Sequence, residues 1–415
     1  MFTNKPRGTY DILPGEVEKW QFVEKVARDL CRRYNYHEIR TPMFEHTELF
    51  ARGVGETTDI VAKEMYTFTD RGDRSLTLRP EGTAGAVRSF VENKLYGLPQ
   101  QPTKLYYMGP MFRYERPQAG RNRQFVQFGV EALGSDHPSM DAEVLSLAMT
   151  LLVEVGIRNL SLEINSVGCP ECRPVYREQL KKFFADKLDE LCEDCNNRYD
   201  RNPMRILDCK VDKDRVADAP VMLDDLCEGC QTHFEQLQGY LKDSNIPFVV
   251  NPHIVRGLDY YTKTAFEILV DGSTVIGGGR YNGLVSELGG PETPGIGFGC
   301  GVDRVLLTLA NQNVTLPLEQ ALDAFVVALG EAADRKAVSL LQEMRAAGMA
   351  VEKDYLARGM KAQLKSADRL GAKQVIILGD DELAQGIANV KDMETGEQIT
   401  VPLAELIQKL QMRKG

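Results

Sequence analysis

Phe112-Arg-Tyr-Glu-Arg-Pro-Gln-Ala-Gly-Arg-Asn-Arg-Gln-Phe125 places four arginines, Arg113, Arg116, Arg121 and Arg123, around one short turn. The chain as a whole is acidic, with 50 Lys+Arg against 60 Asp+Glu and a formal charge of −10, so this local excess of cation needs a reason. Leu105-Tyr-Tyr-Met108 precedes it and Phe125-Val-Gln-Phe128 follows it. Strand-forming residues on either side of 117–120 predict a long hairpin with that segment at its tip. Both arms then carry guanidiniums into one cleft, and planar forks that never lose their charge suit a phosphate. The competing reading is an exposed hairpin whose arginines pair only with Glu115 and Glu131.

Two other stretches are as unusual. Arg256-Gly-Leu-Asp-Tyr-Tyr-Thr-Lys-Thr-Ala-Phe-Glu267 joins a cation to paired tyrosines, and Gly295-Ile-Gly-Phe-Gly-Cys-Gly-Val-Asp-Arg304 alternates glycine with other residues. With the hairpin, they resemble motif 2, the histidine-specific signature and motif 3 of histidyl-tRNA synthetases, class II aminoacyl-tRNA synthetases, here of bacterial type. The resemblance runs over nearly the whole chain. It implies an α+β protein: a class II catalytic core of mostly antiparallel sheet flanked by helices, a helical insertion, and a C-terminal α/β anticodon-binding domain. The implied bounds are 1–324 for the catalytic domain, interrupted by the insertion at 169–247, and 325–415 for the anticodon-binding domain.

A chain of 415 residues with 43% hydrophobic residues can build two or three cores. The first residues lack the apolar core of a leader, and no apolar run reaches about 18 residues, so a cytoplasmic protein is expected. The negative charge argues against a uniformly basic nucleic-acid surface but leaves room for local patches. Residues 325–415 carry 13 Lys+Arg and 13 Asp+Glu, so the acidic excess lies wholly in the first 324 residues.

Taken in order, Val23, Val26, Leu30 and Tyr34 recur at helical spacing over 16–34. Glu38-Ile-Arg-Thr-Pro-Met-Phe-Glu45 is a strand-like run followed by Pro42, suited to an edge or bulge, and it looks like motif 1, which implies a homodimer. Leu76-Thr-Leu-Arg-Pro-Glu-Gly-Thr83 reads as a strand running into a helix with Thr83 as a candidate N-cap. If the strand after the hairpin continues to Val130, Gln127 and Gly129 face one way and Phe128 and Val130 the other. Phe248-Val-Val, 264–270 and 273–276, the last ending before Gly277-Gly-Gly-Arg-Tyr-Asn-Gly283, are hairpin-sized runs of an antiparallel sheet. Gly295, Gly297, Gly299 and Gly301 would give a strand one face without side chains, open to a flat ring or a phosphate. The spacing is not G-x-G-x-x-G and no Walker sequence occurs, which excludes a P-loop. In the tail, buried-strand runs at 324–329 and 375–378 flank helices, and Arg358, Lys361, Lys365 and Arg369 share one face if helical, either solvated or placed for phosphates.

Seven of the nine cysteines fall between Cys169 and Cys230. Cys169-Pro-Glu-Cys172, Cys192-Glu-Asp-Cys195 and Cys227-Glu-Gly-Cys230 are C-x-x-C pairs, Cys209 is a seventh, and His233 is another ligand type nearby. Nineteen residues separate Cys172 from Cys192, within the range of a zinc ribbon. The pairs can be matched in several ways, and the alternative is a set of reduced thiols in small helical cores. Structural zinc is a candidate occupant of this cluster.

The resemblance supplies roles residue by residue. Glu81, Gly82, Thr83, Gln127, Glu131, Tyr260, Tyr261 and Tyr281 would bind histidine, with Glu131 on the imidazole. Arg113, Glu115, Arg121, Arg123, Phe125 and Arg304 would bind ATP, with Phe125 and Arg304 on opposite faces of adenine and Mg²⁺ accompanying the phosphates. Arg113 and Arg256 would clamp the α-phosphate, and Arg116 and Gln118 would meet the tRNA. Asn282 stands where many relatives have Asp, which leaves the support of Tyr281 open. The alternative function is a synthetase-like regulatory paralogue that senses histidine without charging tRNA; such chains lack parts of the signature or the tail, both of which are present here.

Overall fold

The computed structural model describes residues 3–55, 58–209, 211–255, 258, 260–318 and 322–412. Arg256 lies outside the described residues. The chain divides into two compact units, 1–317 and 318–415.

In the first unit, α1 (Val17–Arg33) buries Val23, Ala27 and Leu30, the stripe its spacing predicts. Two short strands follow, β1 (His37–Glu38) and β2 (Phe44–His46), with Pro42 between them, and then α2 (Thr47–Val54). After a π-turned segment (Ile60–Glu64) come β3 (Tyr66–Thr69), β4 (Ser75–Leu78) and α3 (Thr83–Glu92). The arginine hairpin is β5 (Thr103–Phe112) and β6 (Gln124–Leu133), in antiparallel register from Thr103 opposite Leu133 to Phe112 opposite Gln124. Then come α4 (Pro138–Glu154), β7 (Leu160–Ser166), the helices α5 (Arg173–Ala185), α6 (Glu193–Arg201) and α7 (Glu228–Asp243), and the strands β8 (Val249–Val250), β9 (Thr262–Val270) and β10 (Ser273–Arg280). A single-turn α8 (Leu284–Glu287), β11 (Gly295–Gly301) and α9 (Val302–Asn311) complete the unit.

Eight strands form one sheet in the order β1-β5-β6-β11-β10-β9-β7-β8. All its pairings are antiparallel except β1 with β5 and β7 with β8, so the expected mostly antiparallel core is present. A small antiparallel sheet, β2-β4-β3, stands apart. Period-two alternation sends Phe128 and Val130 of β6 into a core shared with α1, α4, α7 and α9, and turns Gln127 and Glu131 to the opposite face. That opposite face packs against α3, α8 and the helical segment after β7, through Val87, Phe90, Tyr176, Leu284 and neighbours. It is the face that holds the site.

Three expectations change. β10 does not stop at Ile276 but runs through three glycines to Arg280, because Gly278 and Gly279 let it lie flush between β11 and β9 where any Cβ would strike backbone. The cysteines do not form a 172–192 ribbon: Cys169, Cys172, Cys227 and Cys230 converge in one group, and Cys192, Cys195, Cys209 and Asp212 in another. His233 joins neither group. It is buried on α7, 3.2 Å from Asp141. Asp141 is itself paired with the fully buried Arg280, so these three side chains tie α4 and α7 to β10.

The second unit is a five-stranded sheet. Its elements are β12 (Ala324–Ala328), α10 (Glu331–Ala346), β13 (Val351–Lys353), α11 (Met360–Arg369), β14 (Gln374–Leu378), α12 (Asp380–Gln385), β15 (Ile387–Asp392), β16 (Gln398–Pro402) and α13 (Leu406–Met412). The order β13-β12-β14-β15-β16 is parallel in its first three strands and antiparallel in the last two. Lys361, Lys365 and Arg369 stand exposed on α11, but Arg358 precedes the helix and is drawn to Asp354 instead.

Candidate active site

The start of α3 fixes one wall. Thr83 is not the N-cap but the first helical residue, with Gly82 in the cap position. The orphan amides are taken by the preceding side chain: Glu81 accepts from the backbone N–H of Thr83 and of Ala84, each at 2.8 Å. Burial pushes the Glu81 carboxyl up, and these amides pull it back. Gly82 N–H is held by Gln127 Oε1 at 3.1 Å, which locks β6 to the helix start. Arg79 braces the same turn from behind, donating to the carbonyls of Pro110 and Thr41 at 2.8 and 3.0 Å.

Between this wall and the hairpin opens a cavity of about 390 Å³. Arg113, Glu115, Arg121 and Phe125 of the hairpin line it, with Arg304 from the start of α9. Gln127, Glu81, Thr83, Tyr260 and Tyr261 line it as well. Arg113 is aimed by one bond, Nε to the Pro80 carbonyl at 2.8 Å, and its guanidinium lies 5.4 Å from the centre of the Phe125 ring. Glu115 sits 3.9 Å from Arg113 and 3.6 Å from Arg121, distances of loose ion pairs that a phosphate can displace. Among the described residues, Glu131 pairs with none of the arginines. Arg304 donates Nη1 to the Thr274 carbonyl at 2.8 Å; burial, then the nearby Arg121, lowers its pKa from the usual arginine range. These cations are held close together at a cost that an anion would offset.

Not every expected residue faces the cavity. Arg123 stacks on the Tyr114 ring at 3.9 Å and donates to the Glu115 carbonyl, so it stiffens the hairpin from outside. Arg116 and Gln118 are exposed near the tip, where Gln118 and Arg121 exchange backbone hydrogen bonds of 3.1 and 2.9 Å. Glu131 and Tyr281 are sealed behind the wall. The Tyr281 hydroxyl donates to Glu131 Oε2, and no group among the described residues hydrogen-bonds Oε1. Burial pushes the Glu131 carboxyl up to about 8, with the Tyr281 hydroxyl opposing it. Asn282 binds Asp136 Oδ1 at 2.8 Å, away from the Tyr281 hydroxyl.

The bare face of β11 is used differently from the ring or phosphate expected. A Cβ on Gly295 would strike the Tyr281 ring, on Gly297 the Glu131 carboxylate, and on Gly299 the Gln127 amide. Glycines 295 and 297 therefore make room for the protein's own side chains, and only Gly299 and Gly301 border the open cavity.

Several contributors escape the motif reading. Asp303 accepts from the Val126 N–H at 2.9 Å, from Asn122 at 3.2 Å and from the Tyr10 hydroxyl, clamping hairpin to α9. Its place beside Arg304 was the signal. Tyr107, directly opposite Gly129 across the hairpin, fills the space left by Gly82 and Gly129. Glu267 and Thr274, also on the cavity wall, carry no local mark in the sequence.

A histidyl-tRNA synthetase family model matches residues 8–305, and an anticodon binding domain model matches residues 323–413. The chain belongs to the histidyl-tRNA synthetase family. It is 59% identical over 416 residues to the histidine–tRNA ligase of Geobacillus sp. (strain WCH70), with 98% of each chain covered. It is 57% identical over 413 residues to that of Desulforamulus reducens, again with 98% of each covered. The crystal structure of apo S. aureus histidyl-tRNA synthetase superposes with a TM-score of 0.86 at 47% identity, covering 98% of this chain and 99% of that one. For this synthetase-family chain, the class II fold and the C-terminal anticodon-binding unit expected from the sequence are both borne out. Among the described residues no helix is long and apolar enough to cross a membrane.

Proposed function

We propose that the cavity is where L-histidine and ATP meet, and that the chain works as a histidine–tRNA ligase in two steps. In the first, a histidine carboxylate oxygen attacks the α-phosphate of ATP, the bond to the bridging oxygen breaks, and pyrophosphate leaves. In the second, a terminal ribose hydroxyl of tRNA(His) attacks the acyl carbon and AMP leaves. Two anions must approach in step one, and charge builds on the α-phosphate, so fixed cations are the main requirement.

Arg113 is assigned to the α-phosphate, with Arg256 opposite it on the strength of the resemblance. Arg121 and Glu115 belong to the rest of the triphosphate and the base, and Phe125 and Arg304 to the adenine. Glu115 and Glu267, hard oxygen donors on the cavity wall, fit the Mg²⁺ that histidyl-tRNA synthetases use with ATP, and the ion would screen phosphate charge. Glu81 and Thr83 suit the α-amino group. Gln127 holds Gly82 in register beside them, and Tyr260 walls the pocket. Glu131 and Tyr261 suit the two imidazole nitrogens, Tyr281 orienting the Glu131 carboxylate so that Oε1 accepts the ring N–H. A site built on such pairings rejects analogues lacking the partner by about 10⁴–10⁵, so no editing step is needed.

Arg116 and Gln118 are proposed to meet the acceptor end, and Lys361, Lys365 and Arg369 to contact anticodon-arm phosphates. A homodimer and a cytoplasmic location follow the family. The full-length match to ligases at 57–59% identity gives the regulatory reading no support.

The observation that carries the proposal is the convergence of Arg113, Arg121 and Arg304 with Glu81 and Gln127 on one cavity. It is tested by histidine-dependent exchange of labelled pyrophosphate into ATP in the presence of Mg²⁺, followed by charging of a tRNA(His) transcript. Exchange that Arg113→Ala reduces by roughly 100-fold or more supports it. Exchange indifferent to that change removes the cavity from the chemistry.

A further inference from the structure

We propose that the helical segment after β7 holds two structural zinc ions, one in a Cys₄ site and one in a Cys₃Asp site. The first set is Cys169, Cys172, Cys227 and Cys230; the second is Cys192, Cys195, Cys209 and Asp212. Within each set the ligand atoms all lie within 4.8 Å of one another.

The spacings are those of a mononuclear tetrahedral centre. A zinc–sulfur distance of about 2.3 Å gives a sulfur–sulfur edge of about 3.8 Å. Cys169 Sγ stands 3.6 Å from Cys172 Sγ and 3.8 Å from Cys227 Sγ, and Cys192 Sγ stands 3.7 Å from Cys209 Sγ. Replacing one thiolate by a carboxylate at about 2.0 Å from the metal shortens the edge to about 3.5 Å. Cys209 Sγ is 3.6 Å from Asp212 Oδ2. These are far beyond a sulfur–sulfur bond of about 2.05 Å, so neither set is a group of disulfides.

Backbone amides and outer partners are placed around the ligand atoms. Cys172, Cys192 and Cys227 occupy the cap positions of α5, α6 and α7, where helix N-termini favour negative charge. The Cys227 N–H donates to Cys172 Sγ at 3.1 Å. In the second set the Cys192 N–H donates to Asp212 Oδ2 at 3.0 Å, and Arg215 holds the other carboxylate oxygen at 2.8 Å. A ligand whose free atom is fixed by an outer partner is the usual construction of a metal site. The first C-x-x-C pair meets the third and not the second, which is why linear spacing alone pairs them wrongly.

Each centre also anchors a contact with another part of the first unit, and the first reaches a cavity residue. Arg173, next to Cys172, donates to the carbonyls of Val167 and of Tyr261, a cavity residue. On α6, Asp194 pairs with Lys63 at 3.1 Å and Arg198 with Asp59 at 3.1 Å, joining the second centre to the segment before β3. The ions would therefore fix the insertion at two places, beside Tyr261 before β9 and on the segment before β3.

The test is metal analysis of the full-length chain purified without chelators and reconstituted with Zn²⁺ under thiol reductant. About two zinc ions per chain are expected, released by an organomercurial that caps thiolates. Cys169→Ser with Cys172→Ser should lower the content to about one, and so should Cys192→Ser with Cys209→Ser. Should those variants fail to fold, Co²⁺ substitution of the unaltered chain gives the second readout: thiolate-to-cobalt charge-transfer and tetrahedral visible bands titrating to about two equivalents. Below about 0.1 zinc per chain, or iron in place of zinc, overturns the proposal; about one per chain overturns whichever site proves insensitive to its own substitution.

Discussion

Replacing Gly299 with alanine isolates the contribution of Gln127 without touching it. The new Cβ would fall on Gln127 Nε2, with Cδ at 3.3 Å and Cγ at 3.8 Å, so the stem can stay while the amide must swing away by about an ångström. The obstacle is the far end of a flexible side chain and not backbone, so stability should change by less than about 1.5 kcal/mol. What is lost is the bond from Gly82 N–H to Gln127 Oε1 and the amide's position on the cavity wall. One neutral hydrogen bond is worth about 0.5–1.5 kcal/mol, so the KM for histidine in pyrophosphate exchange should rise about 2- to 13-fold with the KM for ATP little changed. Gln127→Ala should do the same, and the double variant should be no worse than Gln127→Ala alone, because the alanine then has nothing to displace. Additive effects, or an unchanged KM for histidine in Gly299→Ala, would refute this reading of the glycine face.

Three other outcomes are expected, the first from the resemblance and the other two from the geometry. Arg256→Ala is expected to slow adenylate formation by several hundredfold, about 3–4 kcal/mol, while leaving tRNA binding nearly intact; unchanged pyrophosphate exchange would take Arg256 out of the chemistry. Glu131 has its folded-state pKa raised to about 8 by burial, so between roughly pH 5 and 8 the folded apo chain holds one proton more than the unfolded chain. Its stability should therefore fall as pH rises through that window, by up to about 1.4 kcal/mol per unit, and Glu131→Gln should flatten the slope measured by urea titration. Asp141 is the opposite case: burial would raise its pKa, but Arg280 and His233 hold it below the usual range. Its contribution is present above the ordinary aspartate pKa and lost as pH falls through the lowered one, and Arg280→Ala should cost about 3–5 kcal/mol by stranding the buried carboxylate.

How far the sequence went depended on whether the determining contacts were local. The hairpin was legible because strand formers flank a turn, and α1 because its apolar stripe repeats at helical spacing. Alternation along β6 correctly separated Gln127 from Phe128. The start of α3 was misread by one position because Ser/Thr preference marks Thr83 as a cap, whereas Glu81 does the capping from two residues upstream. The extension of β10 through three glycines was invisible to strand propensity, since only the close approach of β9 and β11 makes glycine the fitting residue there. Arg123 and Arg358 looked equivalent to their neighbours until Tyr114 and Asp354 claimed them. The meeting of Cys169 and Cys172 with Cys227 and Cys230 and the burial of His233 against Asp141 depend on contacts 55 or more residues apart, which no local pattern encodes.

The most direct test of the central claim is a crystal structure of the chain with a non-hydrolysable histidyl-adenylate analogue. The account predicts the imidazole against Glu131 and Tyr261, the phosphate mimic at Arg113, and the adenine between Phe125 and Arg304. Density for the analogue elsewhere, or an imidazole directed away from Glu131, would contradict it.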